Sequence, residues 1–90
     1  MELEQLRIFL AVAGEKSFSR GAKKLYISHS TTSRAVSALE EELGVTLLRR
    51  GNRVLGLTPA GETLAREAEE LLRRTESAAA HVRAAGEEKE

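Results

Sequence analysis

Apolar residues recur at Leu3, Leu6, Phe9, Leu10 and Ala13, the spacing of one face of an α-helix, until Gly14 weakens the pattern. A second, short amphipathic segment turns Phe18, Ala22 and Leu25 inward. Ser17 precedes it and supplies an oxygen for its unpaired N–H groups, while Arg20 at the third position rules out a capping box. Tyr26, Ile27 and Ser28 make a tight connection to a third helix, capped by Ser28, running to about Leu43 and stopped by Gly44. Two short helices joined by so short a turn predict a helix-turn-helix.

Beyond Gly44, the segment VTLLRRGNRVLGLT has two short apolar runs around Arg49, Arg50, Gly51, Asn52 and Arg53, which predicts a small hairpin with a basic tip. Thr58 followed by Pro59 then starts a long final helix, with Gly61 in the slot where a capping box would need Glu. Leu64, Ala68, Leu71, Thr75, Ala78, Val82 and Ala85 alternate spacings of four and three, a heptad seam. A rod of about 40 Å is longer than the small domain beside it, so a partner helix from a second chain is expected on that seam. The ending GEEKE carries no apolar residue and reads as a frayed tail.

The third helix opens with SHSTTSR, whose hydroxyls compete with helical backbone bonds and do not suit a helix built for stability alone. On a helical wheel Thr32, Ala35, Val36, Leu39 and Leu43 share the core side. His29, Ser30, Ser33, Arg34 and Ser37 share another face, short and hydrogen-bonding, with one long side chain. Such a face suits a DNA major groove, where base edges present donors and acceptors. Glu40, Glu41 and Glu42 lie at the far end of the helix, so its N-terminal end, with the positive dipole, is the one expected to approach phosphate.

Charge sharpens the picture. The chain of 90 residues has zero net charge, but residues 1–58 carry nine Lys and Arg against six Glu, and residues 59–90 carry five against eight. A basic face on the first part follows, and three arginines in the hairpin favour a wing along the DNA backbone or minor groove. With no cysteine and only His29 and His81 as histidines, no disulfide or metal site is expected, and no cofactor. No apolar run reaches the roughly 20 residues that span a bilayer, and MELEQLR lacks a signal-peptide layout; a soluble, cytoplasmic protein without membrane contact is expected. Catalysis by Ser28, His29 and Ser30 fails on geometry, because adjacent helical residues do not face one another and the chain has no Asp. A winged helix used only for protein interaction would need exposed apolar groups on the third helix, where the sequence places polar ones.

MELEQLRIFLAVA, SFSRGAKKLYIS, SRAVSALEEELGVTLL and LTPAG, in this order and spacing, resemble the N-terminal DNA-binding domain of the LysR-type transcriptional regulators over residues 1 to about 75. The resemblance implies a mainly α fold. A winged helix-turn-helix is expected over residues 1–58, a linker and dimerisation helix over residues 59–86, and a frayed tail over residues 87–90. It implies a homodimer through the linker helix, placing two recognition helices (residues 28–43) on an interrupted inverted repeat of double-stranded operator DNA. A small-molecule effector is expected only in a C-terminal domain outside this chain. Base reading is expected from His29, Ser30 and Arg34, and backbone or minor-groove contact from Ser17, Ser28, Thr31, Ser33, Arg50 and Arg53. Dimerisation is expected from Leu64, Ala68, Leu71, Thr75, Ala78 and Val82. The chain departs from the family's usual pattern at three places: His29-Ser30 stands for Gln-Pro, Leu48 for the wing Phe, and Arg49 for an acid. A neutral imidazole has one donor and one acceptor, where Gln offers an amide suited to adenine, so His29 is expected to read a different base.

Overall fold

A computed structural model describes residues 1–87. Four helices and one hairpin follow in the order α1 (Leu3–Glu15), α2 (Phe18–Leu25), α3 (His29–Leu43), β1 (Leu48–Arg50), β2 (Val54–Leu57) and α4 (Pro59–Glu87). The local signals explain most boundaries. Ser17 Oγ accepts the Arg20 N–H at 3.0 Å and Ser28 Oγ accepts the Thr31 N–H at 3.0 Å, each satisfying a donor that a helix start leaves unpaired. At the other end of α3, Gly44 adopts φ 70° and its N–H donates to the Glu40 carbonyl at 2.8 Å. The N-terminal amine of Met1 lies 2.9 Å from Glu42 near that same end, and the hydrogen bond it donates to this carboxylate raises its pKa.

α1 is the centre of the core. Phe9 and Val12 are fully buried, joined by Leu6, Ile8, Val36, Leu39, Leu47, Leu48, Val54, Leu64 and Ala68. The single face expected for α1 is too narrow. Ile8, Ala11 and Val12 are buried, while Leu10 and Ala13 are half-buried and Leu3 is exposed. The reason is that α2, α3 and α4 all pack on this helix and cover more than one face. α1 also runs through Gly14 and stops only where Lys16 turns into the left-handed region at φ 53°. Leu43, expected in the core, is 40% exposed, because it borders an open apolar groove with Met1, Val45 and Leu71. Thr32 is fully buried, as the wheel requires, and its hydroxyl donates to the Ser28 carbonyl at 2.9 Å.

The wing is an antiparallel pair with Leu48 opposite Leu57, Arg49 opposite Gly56 and Arg50 opposite Val54, and a register shift between Arg49 and Arg50. It is bound to both neighbouring helices. From α3, Glu40 accepts the Leu47 N–H at 2.8 Å and Arg50 Nη2 at 3.0 Å. At the start of α4, the Thr58 N–H donates to the Leu47 carbonyl at 3.0 Å, and its hydroxyl donates to the Thr46 carbonyl at 2.6 Å while accepting the Gly61 N–H at 3.0 Å. The LTPAG stretch is therefore a cap and a splice together.

α4 continues well past this body, giving the molecule extents of 57 × 26 × 19 Å. Of the tail expected at 87–90, Glu87 closes α4, and residues 88–90 lie outside the described residues. Among the described residues no helix is long and apolar enough to cross a membrane.

Candidate nucleic-acid interface

The polar face of α3 is presented outward along its first two turns. His29, Ser30, Thr31 and Arg34 are exposed and Ser33 is half-buried. The helix starts here, so its free N–H groups and positive dipole end lie beneath the same side chains. The hydroxyls are not equivalent. Ser28 accepts the Thr31 N–H and donates its own proton to Thr31 Oγ1 at 2.8 Å, so its donor is taken up inside the cap; Ser30 Oγ stands 3.4 Å away. Thr31 keeps its hydroxyl proton for an outside acceptor, and so does Ser17, whose oxygen accepts from Arg20.

The fold joins three separate pieces of sequence into one cleft of about 220 Å³, lined by Lys16, Ser17, Phe18, Ser19, His29, Asn52, Arg53 and Val54. Beside it, Glu15, Lys16, Ser17, Arg20 and Arg53 border a second, shallower hollow. The N-terminus of α2, the first residue of α3 and the tip of the wing thus converge. Among the described residues neither Lys16, Arg20 nor Arg53, which border these hollows, is ion-paired, which leaves an excess of positive charge around the cleft.

Arg50, expected at the DNA backbone or minor groove, also has partners within the chain. Side chains alternate along a strand, so Arg50 lies on the same side of β1 as buried Leu48, toward the helices, yet stays exposed as Arg49 does. There it pairs with Glu40 at 3.0 Å and lies 5.2 Å from the centre of the Phe18 ring. Its guanidinium braces the wing against α3. Period-two alternation from Leu48 is the sequence signal for this placement, and Glu40, which the sequence marks only as part of the far end of α3, is the acceptor that ties the wing to that helix.

On α4, the expected seam divides in two. Leu64 and Ala68 are buried within this chain, packed into its own core. Leu71, Thr75, Ala78 and Val82 are exposed, Val82 at 70%. At the junction lies an apolar groove of about 460 Å³ bordered by Met1, Leu43, Val45, Ala60, Thr63 and Leu71.

The family model described as bacterial regulatory helix-turn-helix protein, lysR family, matches residues 3–62. The probable cat1 operon transcriptional activator of Acinetobacter lwoffii is 43% identical over 96% of this chain and 28% of its own length. The transcriptional regulator ClcR of Pseudomonas putida is 44% identical over 94% of the chain and 29% of its own length. The chain therefore spans less than a third of these relatives. Among solved structures, the BenM_DBD/catB site 1 DNA complex superposes with a TM-score of 0.94 at 38% identity, covering 100% of both chains. The CbnR_DBD–DNA complex gives 0.91 at 37% identity, covering 96% of this chain and 99% of that one. With the helix-turn-helix, the braced wing and the long following helix all in place, the chain belongs to the LysR family of bacterial regulatory helix-turn-helix proteins.

Proposed function

We propose that this chain is the operator-binding part of a transcriptional regulator, with α3 in the major groove of double-stranded DNA and the wing along the backbone or minor groove. The observation that carries the reading is the convergence of the exposed polar start of α3 with Arg53, Lys16 and the α2 N-terminus around one basic cleft. His29, Ser30 and Arg34 are the base readers. Ser17, Thr31, Ser33 and Arg53 are the phosphate or minor-groove contacts, with Ser28 supporting them as the cap. Support comes also from the likeness to the BenM and CbnR domains solved with DNA. Binding, not catalysis, is the task of this surface, and it is exercised in the cytoplasm.

Two copies pair through the free part of α4, from Leu71 to Val82, and through the apolar groove at its base, so that residues 1–58 of each copy meet one half of an interrupted inverted repeat. A small-molecule effector belongs to a part of the regulator outside this chain. Selection from random duplexes with the purified chain tests the reading. It enriches an inverted repeat with a spacer of fixed length, with affinity falling steeply as salt rises. Failure to enrich any sequence at low salt contradicts it.

A further inference from the structure

His29 is not a lone side chain on α3. Its imidazole centroid lies 6.0 Å from that of the Phe18 ring, the planes tilted by 45°, within the range at which aromatic rings attract each other. The guanidinium carbon of Arg50 lies 5.2 Å from the centre of the same ring, a cation–π distance. Arg50 is itself fixed by Glu40, which also holds the Leu47 N–H. Phe18 packs against the core, so its ring has a defined seat. One ring anchored in α2 thus bears on a base-reading candidate of α3 and on the brace of the wing.

An exposed imidazole on the first turn of a helix has several rotamers open to it, and each presents the donor and acceptor differently. Discrimination among bases requires those atoms to be held, since a side chain that reorients freely meets every base edge about equally well. We propose that Phe18 is the positioning residue for base readout by His29, its ring restricting the imidazole to one orientation while Arg50 and Glu40 keep ring, wing and recognition helix in register. Specificity at one base pair of each half-site then depends on a residue of a different helix. The inference rests on the reading that α3 occupies the major groove.

The experiment is the duplex selection, repeated with Phe18→Leu, His29→Gln and the double variant, each first checked for helical circular dichroism and cooperative melting. His29→Gln identifies the position read by residue 29, because the preferred base changes there. Phe18→Leu reduces discrimination at that position about tenfold, while affinity for a scrambled duplex stays within about twofold. Phe18→Tyr, which keeps the ring, retains the wild-type ranking, and in the double variant the effect of Leu at position 18 on that base pair is lost. Should Leu at this half-buried site melt without cooperativity, Phe18→Met, which fills similar volume without a ring, replaces it. An equal loss for all four bases, an undiminished effect in the His29→Gln background, or no change of base on His29→Gln overturns the positioning role. An inverted repeat enriched without any preference at that position defeats only this inference, whereas no enrichment by the wild-type chain defeats the DNA reading beneath it.

Discussion

Gly14 and Gly61 both sit in helices, and their surroundings give them opposite roles. A Cβ on Gly61 would overlap the Leu47 carbonyl oxygen, well inside contact distance, whereas one on Gly14 meets nothing within 4 Å. Gly61→Ala therefore pushes the start of α4 off the wing and loosens the bonds from Thr58 to Leu47 and Thr46. It lowers stability by about 2–4 kcal/mol. Gly14→Ala lowers the backbone entropy of the unfolded chain without a clash in the helix and raises stability by about 0.5–1 kcal/mol. Urea titration of both variants at constant slope measures the pair, and a neutral Gly61→Ala would contradict the close approach. This contrast marks how far single residues are legible. Ser17, Ser28 and Gly44 are readable because a cap is a local rule acting within a few residues. Gly61 reads only as a missing Glu, since the atom that requires its small size belongs to Leu47 on another element. The Phe18–His29 contact is hidden for the same reason.

The elements themselves are well marked in the sequence wherever one periodicity dominates, and less so where several neighbours share a surface. α3 shows its buried and polar sides because it packs on one side only; α1 does not, because three helices cover it and its buried arc includes Ile8, Ala11 and Val12. The hairpin was legible from its turn residues, but the direction of Arg50 follows from alternation, and its partner Glu40 from a fold that brings the end of α3 to the base of the wing. A prediction belongs to this scale. Glu40→Ala leaves the Leu47 N–H and Arg50 without their acceptor and lowers stability by about 1–3 kcal/mol. Its effect on DNA affinity separates bracing from bulk electrostatics. Removing a negative charge strengthens binding to a polyanion if charge alone matters, but a wing freed from α3 binds more weakly. Weaker binding is the expected outcome in a filter-binding or anisotropy titration at fixed salt, and tighter binding would show that Glu40 does not position the wing.

At the scale of the whole molecule, the heptad seam gave the direction of α4 but not the point where it leaves the body. Leu64 and Ala68 fit the seam and are nevertheless core, because the first turns of α4 lie on α1. What remains outside is a helical arm whose apolar positions Leu71 and Val82 are exposed among the described residues, together with the groove at its base. Leu71 stands at the boundary of the two, 40% exposed and bordering the groove with Met1, Leu43 and Val45. A carboxylate there is solvated in the single chain, so Leu71→Glu leaves the helix-turn-helix folded and its thermal melting within a few degrees of wild type. In a pair of chains the same carboxylate is buried twice, once from each copy, which weakens association about 100-fold or more. Sedimentation equilibrium then reports a mass near that of one chain at concentrations where the wild type is paired. On an inverted repeat the variant binds with the affinity of an isolated half-site, because the second recognition helix no longer arrives at high effective concentration. A paired mass retained by Leu71→Glu would place the dimer surface elsewhere than on the free half of α4.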